Sequence, residues 1–197
     1  MLQLLSKLQD PDSDAGEIEK LVSQDVALSY KLLRYINSAF FALPRKIDSI
    51  RQAVVYLGTQ AIKTWVTLLV VAGLGNKPAE LVIQAMQRAK MCELLAQTAK
   101  RPQTEAYFTV GLFSLLEALM DAPLEKILDS LPFSEDIRNA LLRLEGPYGE
   151  ALACVIAYEK GDFLRARFDR LAPSQMTDAY LASARWADQS ASALGGT

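Results

Sequence analysis

The chain has 197 residues, of which 51% are apolar and 22% are charged, and its formal net charge is −2. These values fit a globular domain and exclude a disordered chain or a strongly basic nucleic-acid-binding one. The chain contains no histidine. This excludes Ser-His-Asp and Cys-His catalytic groups, His-ligated zinc sites and hydrolases whose metal is held by a His-Asp pair.

The N-terminal half reads as a series of short amphipathic helices. Apolar residues recur at helical spacing, as at Ile50, Ala53, Val54 and Leu57, and strict two-residue alternation is hard to find. Caps and breakers divide this pattern into segments. In chain order, helices are predicted from Asp14 to about Ser23, from Asp25 to about Ala39, from Asp48 or Ser49 to Gly58, and from Thr59 to about Ala72.

The C-terminal half continues the same pattern. Prolines stand where first helical residues belong, and glycines follow the apolar runs. Helices are predicted from Pro78 to Lys100, from Pro123 to Ser130, from Ser134 to Gly146, from Pro147 to Gly161, and after caps at Asp162 and Ser174. The sequence therefore predicts an all-α fold of about a dozen helices, with residues 174–190 as a final docked helix and 191–197 as a loose tail.

Cysteine usage and the first residues indicate a cytoplasmic protein. Cys92 and Cys154 form no CxxC pair, and we expect two buried thiols, with one long-range disulfide as the alternative. Met1 to Leu8 lacks the basic start of a signal peptide. The apolar run from Trp65 to Leu74 is shorter than the about 18 residues that span a bilayer, so no membrane insertion is expected.

Three other motifs do not support a calcium-binding, phosphate-binding or DNA-binding site. Asp10, Asp12 and Asp14 resemble the start of a calcium loop, but the glycine and glutamate that such a loop needs further on are absent. Gly73 and Gly75 follow a helix and match no phosphate-binding loop. Residues 49–70 could form a helix-turn-helix, but the second helix lacks a basic outer face, so nucleic acid is not favoured as a partner.

Several segments carry a resemblance to a known family. The run LLRYINSAFFALPRKIDSI from Leu32 to Ile50 closely resembles the HDOD domain, a module of bacterial signalling proteins. RAKMCELLA from Arg88, GLFSLLEAL from Gly111 and AYEKGD from Ala157 are similar to the same family. The resemblance covers about residues 2–190, and we assign residues 1–190 as one HDOD domain. It is strongest to the HDOD domain that follows an EAL domain of the cyclic-di-GMP phosphodiesterase class, and a longer parent protein is therefore expected.

The resemblance implies an HD-superfamily-like fold whose metal site is degenerate. In HD phosphohydrolases, histidines and aspartates hold divalent metals that generate the attacking hydroxide. At the matching positions this sequence has Arg88, Ser114 and Leu115. A leucine cannot ligate a metal, and an arginine repels one. The resemblance therefore implies a module with no catalytic residues, no metal and no cofactor.

Basic residues cluster in one part of the chain. Between residues 26 and 77, Asp48 is the one acidic residue, and the basic residues are Lys31, Arg34, Arg45, Lys46, Arg51, Lys63 and Lys77. This cluster is either a solvated face or a docking surface for an acidic partner. As partner-contact residues we select Arg34, Asn37, Arg45, Lys46 and Arg51, although Asn37 also suits a structural role at a helix end.

The favoured function is a non-catalytic regulatory domain that binds protein partners or an N-terminal EAL domain of the same chain, and transmits state by a population shift. One alternative is a divergent phosphohydrolase that holds magnesium or manganese with Glu93, Glu105, Glu117 and Asp121. In that alternative, Glu117 and Asp121 are predicted to lie one turn apart on one helix. The other alternative is a sensor that binds cyclic-di-GMP through Arg34, Arg45 and Arg51.

Overall fold

The structure is a computed structural model that describes residues 2–10, 12–37, 47–72, 78–129, 131 and 133–195. These residues form twelve helices and no strand, which confirms the all-α prediction. The helices are α1 (Leu2–Gln9), α2 (Ala15–Ser23), α3 (Val26–Ile36), α4 (Ile50–Leu57), α5 (Thr59–Ala72), α6 (Ala79–Thr98), α7 (Thr104–Phe113), α8 (Leu116–Met120), α9 (Leu124–Leu128), α10 (Glu135–Arg143), α11 (Gly146–Glu159) and α12 (Pro173–Gly195).

Four of the predicted N-caps are confirmed. In each, a side-chain oxygen accepts a hydrogen bond from the backbone N–H three residues further on, which satisfies one of the unpaired donors at a helix start. The four caps are Asp14 of α2, Asp25 of α3, Ser49 of α4 and Ser134 of α10. Local capping chemistry therefore fixes where these helices begin.

Some predicted helix ends are wrong. Helix α3 ends at Ile36, with Asn37 as its C-cap, and the predicted end at about Ala39 lies outside the described residues. Helix α10 ends at Arg143, because Leu144 takes a left-handed conformation with φ of 59° before Gly146 is reached. The helix predicted after Asp162 is absent: this side chain accepts a bond from the Arg165 backbone N–H, and the segment continues as turns.

The described chain divides into two compact units. Unit 1 comprises the described parts of residues 1–75, 129–132 and 189–197. Its core is formed by helices α1 to α5, and the Tyr35 ring packs on Trp65 at a centroid distance of 4.4 Å. The assignment of residues 1–190 to one domain, with 174–190 as its last helix and 191–197 as a tail, stays a prediction.

Unit 2 comprises residues 76–128 and 133–188 within the described ranges. In this unit, helices α6 and α7 pack closely against each other, and helices α10 and α11 pack against that pair. Helices α6 and α7 approach each other closely at Gly111 of α7, where an added Cβ would lie 2.6 Å from the Cα of Ala89 on α6. A side chain at position 111 would therefore push the two helices apart, and glycine is required for this spacing.

Among the described residues, no helix has both the length and the apolar character that are needed to cross a bilayer.

Candidate functional site

Two helices of unit 2 bring two of the predicted site positions together. Arg88 lies on the buried face of α6, and only 7% of the residue is exposed. Ser114 is the C-cap of α7, three residues after Gly111. Because Gly111 lets α7 approach α6 closely, the Ser114 hydroxyl reaches the Arg88 side chain.

The guanidinium of Arg88 is held at three points. Its Nε donates to Glu159 Oε1 at 3.0 Å, and its Nη2 donates to Glu159 Oε2 at 2.6 Å. Its Nη1 donates to Ser114 Oγ at 2.9 Å, and Ser114 Oγ in turn donates to the Gly111 carbonyl at 2.7 Å. The Nε and Nη2 groups of a guanidinium match the spacing of the two carboxylate oxygens, and the bonds to Glu159 are strong because both partners are charged.

This arrangement does not fit a catalytic metal ion. Arg88 carries a permanent positive charge at the position where the family resemblance implies a metal ligand, and Glu159, the nearby carboxylate, is already paired with it. Leu115, the third predicted position, is half-buried just before α8 and offers no donor atom. Within the described ranges, no group of three or more histidine, cysteine, aspartate or glutamate residues is placed to hold a metal.

Two buried thiols lie in the same unit, and the structure leaves both of them free. Burial raises the pKa of Cys92, and Glu159 acts in the same direction while Arg88 partly opposes it. Burial also raises the pKa of Cys154 to about 11. Both thiols are therefore neutral and poorly nucleophilic at physiological pH, as expected of buried structural cysteines.

The four carboxylates of the phosphohydrolase alternative do not form a site. Glu93 is ion-paired with Lys90 at 2.6 Å, and Glu105 lies exposed in the first turn of α7. The prediction that Glu117 and Asp121 share one helix is wrong. Helix α8 ends at Met120, and Asp121 takes a left-handed conformation with φ of 51°, which points the chain away from the helix axis.

Asn37, a predicted partner-contact residue of unit 1, is bonded to backbone groups. Its side-chain Nδ2 donates to the carbonyls of Leu33 and Ile47 at 2.8 and 2.7 Å. Its Oδ1 accepts from the Ile47 backbone N–H at 2.8 Å. These three bonds give Asn37 a structural role, because they join the end of α3 to the chain ten residues later, while its contact with a partner stays a prediction.

The other predicted contact residues are less completely placed. Arg51 is exposed on α4, and Arg34 is half-buried in the last turn of α3. Arg45 and Lys46 lie outside the described residues. Their joint role as a docking surface or as a cyclic-di-GMP site stays a prediction.

Two polar residues of helix α5, Lys63 and Thr67, are buried, whereas Gln60 is exposed and Thr64 is half-buried. Lys63 is 8% exposed and donates to the Asp10 carbonyl at 2.7 Å, and burial lowers its pKa, with Asp10 and Glu17 partly opposing this. Thr67 is 2% exposed and donates to the Lys63 carbonyl. Lys63 and Thr67 are therefore not available to a DNA groove, while the expectation against nucleic acid stays a prediction.

Sequence reasoning missed Glu159 as the partner of Arg88. The two residues are 71 positions apart, and no local pattern connects them. One signal was available, because an arginine on an otherwise apolar helix face requires a carboxylate if it is to be buried. That signal does not say which of the chain's acidic residues provides it.

Comparison with known proteins gives one consistent family. The HDOD domain family matches residues 1–121. A relative named cyclic di-GMP phosphodiesterase CdgJ, from Vibrio cholerae, is 39% identical over 164 residues, which are 82% of this chain but 38% of the relative, so the chain spans well under half of its length.

Two solved structures share the fold. An HDOD domain protein of unknown function from Geobacter sulfurreducens has a TM-score of 0.62 at 18% identity, covering 96% of this chain and 90% of the other. A candidate phosphohydrolase from Shewanella amazonensis has a TM-score of 0.64 at 18% identity, covering 98% of this chain and 91% of the other. At this identity the likeness shows the fold alone.

Proposed function

Because this chain belongs to the HDOD domain family, we propose that it is a non-catalytic signalling module that binds protein partners or controls an attached EAL-type domain. The observation that supports this most directly is the three-point engagement of Arg88 by Glu159 and Ser114. A fixed guanidinium occupies a position where the resemblance to HD enzymes implies a metal ligand. The charge that a metal would supply for hydrolysis is thereby replaced by a charge that cannot activate water.

The same cluster suggests how the module transmits state. Arg88 belongs to α6, Ser114 ends α7 and Glu159 ends α11, so the cluster ties three helices of unit 2 at one point. A partner that favours a different packing of these helices shifts the population only as far as its affinities for the two packings differ. The cluster is then the element that resists the shift.

One relative, CdgJ, supports the proposal that this chain regulates a catalytic segment of the same protein. The name of CdgJ states a cyclic-di-GMP phosphodiesterase activity, and this chain matches 38% of that protein. We infer that the activity of CdgJ belongs to its remainder, and that a segment like this chain regulates it. We also propose a cytoplasmic location, for which the support is the pair of free, buried thiols, since a reducing compartment keeps such thiols unpaired.

The first test measures metal content and hydrolysis. The purified chain is dialysed against manganese and magnesium, its metal content is measured, and it is assayed with a chromogenic phosphodiester. We expect neither stoichiometric metal nor turnover, with a His-containing HD phosphohydrolase as the positive control. Stoichiometric metal together with turnover would overturn the non-catalytic assignment.

The second test measures regulation directly. The segment of CdgJ that aligns with this chain is either deleted or replaced by this chain, and cyclic-di-GMP hydrolysis by the three proteins is compared. We expect deletion to change the rate and replacement to restore it. An Arg88→Lys version of the replacement is the matched variant, since it keeps the charge and loses the fork. A replacement that behaves like the deletion would contradict the regulatory proposal.

A further inference from the structure

A groove of about 610 Å³ lies in unit 2, between the end of α11 and the start of α12. Its volume is within the usual range of small-molecule sites, about 300–1,000 Å³. The segment from residue 160 to residue 172 forms one wall. The residues that matter for its chemistry are Tyr158, Phe163, Arg167, Asp169, Arg170 and Thr177.

The wall formed by this segment is anchored to the unit. Ala166 and Phe168 are buried, and the Phe168 ring packs edge-on against Tyr107 at 6.2 Å. The backbone N–H of Ala166 donates to the Asp162 carbonyl at 2.9 Å, and that of Arg167 donates to the Arg165 carbonyl at 2.8 Å. With a buried residue on each side of it, Arg167 has a fixed backbone and an exposed side chain, so the groove is formed before a ligand arrives.

The groove carries uncompensated positive charge. Arg167 and Arg170 are exposed, and neither forms an ion pair with a described residue. Asp169 also lines the groove, but Arg101 neutralises it at 2.9 Å. Two guanidinium groups three positions apart therefore face an opening without a counter-charge, and guanidinium groups bind phosphate oxygens in a two-point geometry.

The same groove offers an aromatic face. Phe163 is 65% exposed, and it meets the Tyr158 ring edge-on at 5.2 Å. The Tyr158 hydroxyl lies 3.0 Å from the Thr177 hydroxyl, which holds the tyrosine in place. An exposed ring that is supported from behind is a suitable surface for stacking a planar base.

We propose that this groove binds a nucleotide, with its phosphate on Arg167 and Arg170 and its base stacked on Phe163. The phosphate requires the arginines and the base requires the ring, so a ligand with both parts binds more tightly than either part alone. Arg88, Ser114 and Glu159 do not line the groove, although Tyr158 precedes Glu159 at the end of α11. The proposal uses none of the residues on which the proposed regulatory function rests.

Calorimetric titration of the chain with GMP, guanosine and pyrophosphate tests the ligand class. We expect GMP to bind at least about tenfold more tightly than guanosine or pyrophosphate, a difference of about 1.4 kcal/mol in binding free energy. An absence of heat with GMP at millimolar concentration would overturn the proposal. Equal affinity for pyrophosphate and GMP would also overturn it, because the groove would then bind any anion.

Two pairs of matched variants test the position of the site. Arg167→Gln/Arg170→Gln is compared with Arg165→Gln, which alters an exposed arginine of the same segment that does not line the groove and is paired with Asp162. Phe163→Ala is compared with Leu164→Ala, an exposed neighbour that does not line the groove.

We expect the arginine pair and Phe163→Ala each to weaken GMP binding by about tenfold or more, and both controls to bind like the wild type. Circular dichroism confirms that each variant is folded. If Arg165→Gln weakens binding as much as the double variant, the effect is that of net charge and the proposed site is wrong. Unchanged binding by Phe163→Ala would remove the base from the proposal.

Discussion

Arg88 and Glu159, 71 residues apart in the chain, form a two-point ion pair with N–O distances of 3.0 and 2.6 Å. The side chains are 9% and 15% exposed. Both charges have therefore lost most of their water, and each depends on the other for compensation. The pair joins α6 to the end of α11, and the third bond of Arg88 adds the end of α7 through Ser114.

Removing one member of this pair is expected to destabilise the fold strongly. Arg88→Met leaves the half-buried Glu159 carboxylate without its counter-charge, and we expect a loss of about 3 kcal/mol in the free energy of unfolding. Arg88→Met/Glu159→Met removes both charges and is expected to lose less than the single variant. Urea unfolding of the three proteins measures the difference, and a double variant less stable than Arg88→Met would contradict the coupling.

The close approach of α6 and α7 gives a second prediction. Gly111→Ala places a Cβ 2.6 Å from the Cα of Ala89, so the helices must separate, and we expect a loss of about 1–3 kcal/mol. The matched control is Gly16→Ala in α2, where the new Cβ would meet only the Asp14 side chain, at 3.3 Å. Because alanine favours helix, the control is expected to be neutral or slightly stabilising. Equal thermal unfolding midpoints for the two variants would refute this account.

Asn37 provides a third prediction. Asn37→Ala leaves the backbone N–H and carbonyl of Ile47 without their side-chain partner, and we expect a loss of about 2 kcal/mol in stability. Gln52→Ala is the control, since its Oε1 accepts one exposed bond from the Asp48 backbone N–H. Its expected loss is about 0.5 kcal/mol. If Asn37→Ala unfolds at the wild-type urea concentration, its three bonds have no structural importance.

The raised pKa of the buried Cys154 thiol leads to a prediction of how the free energy of unfolding changes at alkaline pH. The pKa of Cys154 is raised by burial from 9.0 to about 11, so folding favours the neutral thiol. The associated stability is present below pH 9, where both states hold the proton. It is lost between about pH 9 and 11, at about 1.4 kcal/mol per pH unit, because only the unfolded state releases the proton there.

Cys154→Ala isolates this contribution. Its free energy of unfolding should decline less steeply than that of the wild type from pH 9 to 10.5, whatever its absolute stability. The decline persists in part, because burial also raises the pKa of Cys92 and Tyr35. Parallel curves for the two proteins would show that Cys154 does not titrate on unfolding.

Much of the local structure is predictable from sequence. Asp14, Asp25, Ser49 and Ser134 cap their helices as expected, because capping depends on residues only three positions apart. The segment after Asp162 is not predictable in this way. Its cap is present, but the burial of Ala166 and Phe168 on alternate positions draws the chain into turns instead of a helix.

The sequence by itself determined the helical class and the exclusion of histidine-dependent sites, since spacing, caps and the missing histidines are properties of residue types in order. The resemblance also led to the prediction that Arg88, Ser114 and Leu115 occupy degenerate metal-ligand positions, which stays a prediction. Only the tertiary structure decided that Glu159 neutralises Arg88, and that Arg167, Arg170 and Phe163 line one groove. Both depend on the packing of helices distant in sequence, and a buried charge selects its partner by distance in space.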